Sequence, residues 1–378
     1  MTRFFLIGLL SAGLISCQEK IVIEGTPENV FEVFWNTLNE RYVHFPDKDI
    51  DWDAVYLEYM PRFREVKSED ELEELFREVM FLLEDNGLEV FRPLRRNIIF
   101  STIRYRPFHI DYFPSIFEVI IERYGFELVA NEYKYAVYRH ADKGYVYLRY
   151  ARFTEGFNEE GLIEVLNGFD YSGGLIVDVS WNSLERKVSP AHARQFTSLF
   201  FDRDGTHYYY TFRAGPGHDN YSEPSKASLP AYRNLPDGWL QFSEVPVVLL
   251  IGYMTAREGA IFSSLVSEMP NVITVGHPTL GAGDRRTTTY LPNGWILRYP
   301  SGKITSRSGI EMHKSLVPDR EVPWQALYRD TIPVITALEY LDSLNSYEWT
   351  DYREIPADPT KSTVSDYAIF LEELFRKW

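Results

Sequence analysis

The chain opens with three helical stripes and then changes to apolar strands that alternate with helices. Thr26-Pro27-Glu28-Asn29 places a capping threonine, a proline at the first helical position and an acid in the first turn. Val30, Phe31, Phe34, Trp35 and Leu38 follow at intervals of three and four, which gathers apolar side chains on one helix face. Trp52–Tyr59 continues the pattern. Across Asp70–Leu83 the residues Leu72, Leu75, Phe76, Val79, Met80 and Leu83 make one stripe. These segments predict a small helical domain over residues 26–95, with its aromatic stripes as core.

Residues 96–143 lose that period. Ile98, Phe100 and Ile103 alternate, Ile116–Ile121 is apolar, and Lys134–His140 has the character of a hairpin strand. This span predicts a short mixed connecting region. The core is expected over residues 144–348. It begins with the alternating run Gly144–Phe153 and continues with a helix near Asn158–Leu166 and a strand from Gly174 to Asp178. Val247–Ile251 is wholly apolar, Ala260, Ile261, Leu265 and Val266 share one helix face, and Val272–Val275 is apolar again. Such alternation predicts a largely parallel sheet in an α/β fold. Residues 202–243, rich in Tyr, Gly, Pro and Asp, read as an exposed hairpin and loop insertion. Residues 349–378 form an acidic and aromatic extension with an amphipathic helix around Ser365–Phe375.

Composition narrows the function classes. With 378 residues, 45% hydrophobic and 25% charged, the chain is of globular type. Its net charge of −16 argues against a nucleic-acid partner, which needs a concentrated basic surface. At the amino terminus Thr2-Arg3 is followed by the short apolar stretch Phe4–Leu14 and then by Leu14-Ile15-Ser16-Cys17. That stretch is too short for a bilayer span of roughly 20 residues. The four residues match a lipobox, in which cleavage leaves a lipid-modified cysteine first. Residues 1–17 are therefore expected to be a lipoprotein signal peptide, Cys17 the lipidation site and 18–25 a tether. The expected location is the cell envelope, outside the cytoplasm, with the membrane reached through lipid. Cys17 is the only cysteine, so no intrachain disulfide can form. There is no His-Glu-x-x-His and no cysteine pair, and no metal or cofactor is expected.

Thr255-Ala256-Arg257-Glu258-Gly259-Ala260-Ile261-Phe262, followed by Thr279-Leu280-Gly281-Ala282-Gly283, resembles the core of the tail-specific (C-terminal processing) serine peptidases, in their tricorn-like branch. Gly174–Asn182 resembles that family's oxyanion strand, with Ser180, Leu184 and Glu185 in place of an arginine and two glycines. Pro318-Asp319 fits its tail, and the resemblance covers most of residues 30–325. It implies a Clp protease/crotonase-like core behind a small helical domain. Residues 96–143 are about half of what a PDZ domain needs, so no complete PDZ domain is expected.

The resemblance also implies that the chemistry has been removed. Arg257 stands where the family has its nucleophilic serine, and Ala282 where it has a lysine. Gly87, in Leu83-Glu84-Asp85-Asn86-Gly87, takes the place of the histidine, and Met312 that of a glutamate. Loss of such a nucleophile alone lowers turnover by about 10⁶. The expected function is thus a catalytically inactive, membrane-anchored binding or scaffolding protein for polypeptides. Asn182, Thr255, Arg257, Thr279 and Gly281 are its candidate ligand cleft. Within that cleft Arg257 is expected either to capture a carboxylate or to pair with a neighbouring acid such as Glu258 or Asp284. The rival expectation is an active serine-type peptidase with a displaced constellation around Ser183, served by His218, His277 or His313.

Overall fold

The fold was analysed in a computed structural model that describes residues 25–101, 124–132, 135–140, 142–151, 153, 159–180, 182, 190–201, 206–229, 235–322 and 332–345. The lipobox with Cys17, the apolar run Ile116–Ile121, Ser183 and the C-terminal extension with Ser365–Phe375 lie outside these residues. Among the described residues no helix is long and apolar enough to cross a membrane.

Three capped helices come first. In α1 (Pro27–Arg41) the Thr26 hydroxyl accepts the Asn29 N–H. In α2 (Trp52–Glu65) Asp51 accepts from Ala54, and in α3 (Glu69–Leu83) Ser68 accepts from Glu71. Their stripes meet as expected: Phe31 stacks on Phe63 at 4.2 Å and Phe34 meets the edge of Phe76 at 5.0 Å.

The remaining elements, in chain order, begin with β1 (Glu89–Arg92), β2 (Asn97–Phe100), β3 (Phe126–Asn131), β4 (Tyr135–His140) and β5 (Tyr145–Tyr150). Next are α4 (Glu159–Leu166), β6 (Gly174–Asp178), α5 (Pro190–Ser198), β7 (Thr206–Phe212) and β8 (Ser225–Leu229). The chain continues through β9 (Val247–Ile251), α6 (Glu258–Val266), β10 (Val272–Gly276), β11 (Arg285–Tyr290) and β12 (Ile296–Ser306). It closes with β13 (Arg320–Glu321) and α7 (Ile332–Asn345).

One sheet has the order β13-β10-β9-β6-β5-β4-β3. It is parallel from β13 to β5, as the alternation of strands and helices predicts, and antiparallel across β5-β4-β3. Strand β9 is apolar throughout because both sheet faces are covered. Val247, Leu249 and Ile251 join a core with Leu162, Phe196 and Phe262, whereas Val248 and Leu250 join one with Val334, Ala337 and Leu341 of α7.

The second sheet, β2-β1-β12-β7-β8 with β11 on β12, bears on two expectations. A boundary after residue 95 would cut the β1–β2 hairpin, in which Glu89 faces Phe100, and β1 itself pairs with β12 of the core. Within the 202–243 segment β7 and β8 do form a hairpin, whose residues from Tyr209 to Ser228 are exposed or half-buried while its base is tied into the sheet. Strand β7 pairs with β12, and Tyr208 and Leu229 are buried.

Candidate functional site

Strand β9 runs into a tight elbow that launches α6. Thr255 braces it: its hydroxyl accepts the Gly252 N–H at 3.0 Å and donates to the Val179 carbonyl at 2.8 Å. Arg257 follows at φ 56°, ψ −119°, a left-handed backbone that non-glycine residues rarely adopt. The turn after β10 holds this conformation, for the Arg257 N–H donates to the Gly281 carbonyl at 2.8 Å and the Leu280 N–H to the Thr255 carbonyl at 3.0 Å. Gly281 sits at φ 75°, and a Cβ there would lie 2.3 Å from the His313 carbonyl oxygen, so only glycine fits. Asn182 donates its side-chain amide to the Tyr150 carbonyl, and Thr279 accepts the Leu316 N–H on its hydroxyl.

Asn182, Thr255, Arg257, Thr279 and Gly281 therefore do come together, but as buried joints that fix the elbow. As candidate cleft residues they have their polar groups engaged inside the protein. An open cavity of about 450 Å³ lies beside α6, with Tyr208, Tyr210, Glu258, Ile261, Leu265 and Arg286 among its walls.

The four family positions are used structurally. Arg257 donates from Nη2 to Glu89 Oε2 at 2.7 Å. Its partner is thus neither Glu258 nor Asp284 but a residue of β1, brought across by the β1–β12 pairing. Glu89 is 2% exposed and also accepts from Arg298 at 2.8 Å, with Arg286 3.8 Å away. Burial pushes the Glu89 carboxyl up, but Arg257, Arg286 and Arg298 outweigh it and hold the group below its ordinary range. Burial raises Glu258, one of whose oxygens has no hydrogen-bond partner.

Gly87 donates its N–H to Asp85, which also accepts the Tyr42 hydroxyl. A Cβ on Gly87 would meet Pro300 at 2.8 Å, so that position is walled off. Ala282 is held in left-handed backbone at φ 58°, and its N–H donates to the His313 carbonyl. Met312 is fully buried among Phe201, Leu265 and Ile304. Ser263 and Ser264 are buried inside α6. His218 bonds Asn39 and stacks on Phe45, and His277 contacts the Pro278 carbonyl.

A second polar cluster has no signal in the sequence. His44, just past α1, bonds Asp284 through Nε2 at 3.0 Å, and its ring stacks on His313 at 3.9 Å. Asp47 lies against both rings. Burial lowers His44, but Asp284 and Asp47 prevail and raise it to about 9. Burial and the charge on His44 lower His313 to about 2. These residues come from distant parts of the chain, and no short motif joins them. Only His44 and Asp47, three apart, are close in sequence.

A largely parallel α/β sheet, a strained elbow opening a helix and a glycine turn buttressing that elbow define a Clp protease/crotonase-type core. The chain belongs to the tail-specific serine peptidase family: the sequence model for peptidase family S41 matches residues 144–322, and that for the tricorn protease C1 domain matches residues 24–81. Similar solved structures include a candidate peptidase from Parabacteroides merdae ATCC 43184, at 21% identity and a TM-score of 0.69, covering 84% of this chain and 96% of that one. A lipoprotein from Streptococcus agalactiae is 13% identical, with a TM-score of 0.51 over 91% of this chain and 100% of that one. The tricorn protease is 12% identical, with a TM-score of 0.52 over 85% of this chain and 37% of its own. At such identities these structures speak to the fold. No curated protein matches the chain.

Proposed function

We propose that this protein is an exported, membrane-anchored lipoprotein that keeps the tail-specific peptidase scaffold without its hydrolytic chemistry and uses it to bind or scaffold polypeptides. One observation carries the reading: the elbow residue is Arg257, and its guanidinium is committed to the buried Glu89. Acyl transfer needs an activated hydroxyl, a proton acceptor and oxyanion donors. Gly87, Ala282 and Met312 offer no side-chain group for proton transfer. The cavity beside α6, lined by Tyr208, Tyr210, Ile261 and Leu265 together with the charged Glu258 and Arg286, suits an extended peptide segment. Anchoring through Cys17 is supported by the lipobox sequence.

The test uses the full chain with a fluorophosphonate probe and an unfolded protein substrate. Neither labelling nor cleavage is expected, while the unfolded protein should bind. Labelling that disappears in Ser183→Ala would overturn the inert reading in favour of a displaced serine peptidase.

A further inference from the structure

We propose that His44, Asp47 and His313 form a binding site for a divalent transition ion of the zinc class, oriented by Asp284, that clips the helical region to the core. The site is separate from the elbow and does not depend on whether the elbow is inert.

The spacing of the donor atoms is the first argument. Asp47 Oδ2 stands 3.5 Å from His44 Nδ1 and 3.7 Å from His313 Nε2. These separations are at or beyond the limit of a hydrogen bond. The two separations from Asp47 are close to those of atoms sharing one ion, since metal bonds of about 2.0–2.2 Å at tetrahedral angles keep donors roughly 3.3–3.6 Å apart. One ligand atom from each residue lies within 4.8 Å of the others.

The second argument is the division of labour on His44. Its Nε2 is taken by Asp284, whose side chain is almost wholly buried, whereas Nδ1 is buried without a hydrogen-bond partner. A carboxylate gripping the far nitrogen of a ligating imidazole fixes the ring and its tautomer, as in metal sites generally. Without an ion a protonated His44 pairs with Asp47 through this nitrogen at 3.5 Å, so an incoming ion takes the place of that proton. Two nitrogens and one carboxylate suit zinc and its neighbours better than magnesium or calcium, and three protein ligands leave a fourth position open. Access is through Asp47 and His313, whose side chains are 31% and 12% exposed.

Two cations compete for Asp47. Lys303 donates to Oδ2 at 3.1 Å, and Lys314 lies 3.8 Å from Oδ1 while also pairing with Glu311. An incoming ion must displace Lys303 from the shared oxygen. That requirement makes Lys303 a diagnostic: removing its charge should favour the ion.

Zn²⁺ alone should be titrated calorimetrically into the chelator-treated full chain. One equivalent is expected to bind and to raise the thermal midpoint, because the ion joins two regions only in the folded state. Asp284→Asn should weaken binding by roughly 10–100-fold, as loss of an orienting partner does, and Asp47→Asn and His313→Ala by more than that. Lys303→Gln should tighten binding, and His277→Ala should leave it unchanged. Asp47 is partly exposed, so Asp47→Asn keeps the test decisive if a histidine variant fails to fold. Absence of binding would overturn the proposal. So would binding, or a midpoint shift, that persists unchanged in both Asp47→Asn and His313→Ala.

Discussion

Arg257 keeps a backbone conformation that costs on the order of 1–3 kcal/mol, although its side chain no longer supplies the hydroxyl for which the elbow serves in its family. The elbow persists because other contacts over-determine it. The Gly281 carbonyl takes the Arg257 N–H, Thr255 braces the turn, and the guanidinium reaches Glu89. Arg257→Ser is therefore predicted to restore the family residue without restoring hydrolysis. The new hydroxyl would face a histidine position closed by Pro300 and a lysine position held by Ala282. The substitution would also remove one of the guanidiniums that neutralise Glu89. Arg298 still bonds the other oxygen, so the expected loss in stability is about 2 kcal/mol, the scale of one charge-assisted hydrogen bond. Urea unfolding and fluorophosphonate labelling measure the two effects. Labelling of the Arg257→Ser variant at the introduced hydroxyl would show that the elbow lacks only its nucleophile.

At the scale of elements, what can be read from the sequence is what is local. The α1 stripe and cap and the α3 stripe declare themselves within a dozen or so residues, as does the unbroken apolar run of β9 followed by a helical period. The pairing of β1 with β12 is not local, and without it Glu89 is an unremarked acid after a turn. Sequence therefore offers Arg257 its neighbours Glu258 and Asp284 as partners, whereas the fold supplies one from another strand. The His44 cluster is hidden for the same reason. Strand β1 also sets an acid dependence. The folded carboxyl of Glu89 is held below its unfolded value, so its contribution is fully present above the unfolded carboxylate range and is lost as pH falls through the folded pKa. Glu89→Gln is predicted to leave buried arginines uncompensated, at about 3 kcal/mol near neutrality. The penalty should shrink as the solution is acidified, because protonated wild-type Glu89 is itself neutral. Chemical unfolding at several pH values reads this directly. A penalty that does not change with pH would mean that Glu89 acts through packing alone.

For the whole molecule, the second sheet decides whether the helical region is a domain in its own right. Leu291, Trp295, Leu297 and Tyr299, all from the β11–β12 hairpin of the core, are buried in the same cluster as Phe31, Phe34, Phe76 and Leu83. Trp295 sits 5.5 Å from the Phe76 ring, and the buried Arg92 guanidinium lies 4.9 Å from its centroid. A unit whose core is completed by another region cannot bury its own apolar faces alone. The helical region and the peptidase-like core should therefore unfold together. Trp295→Ala removes a side chain shared by both, and the expected cost is about 3–5 kcal/mol for a large buried aromatic. Hydrogen exchange can follow the amides of α1 and α3 separately from those of β9 and β10. Protection should fall in both sets by the same amount wherever exchange requires global opening. Loss confined to the helices, with β9 and β10 as protected as before, would establish that the two regions are independent and only rest against each other.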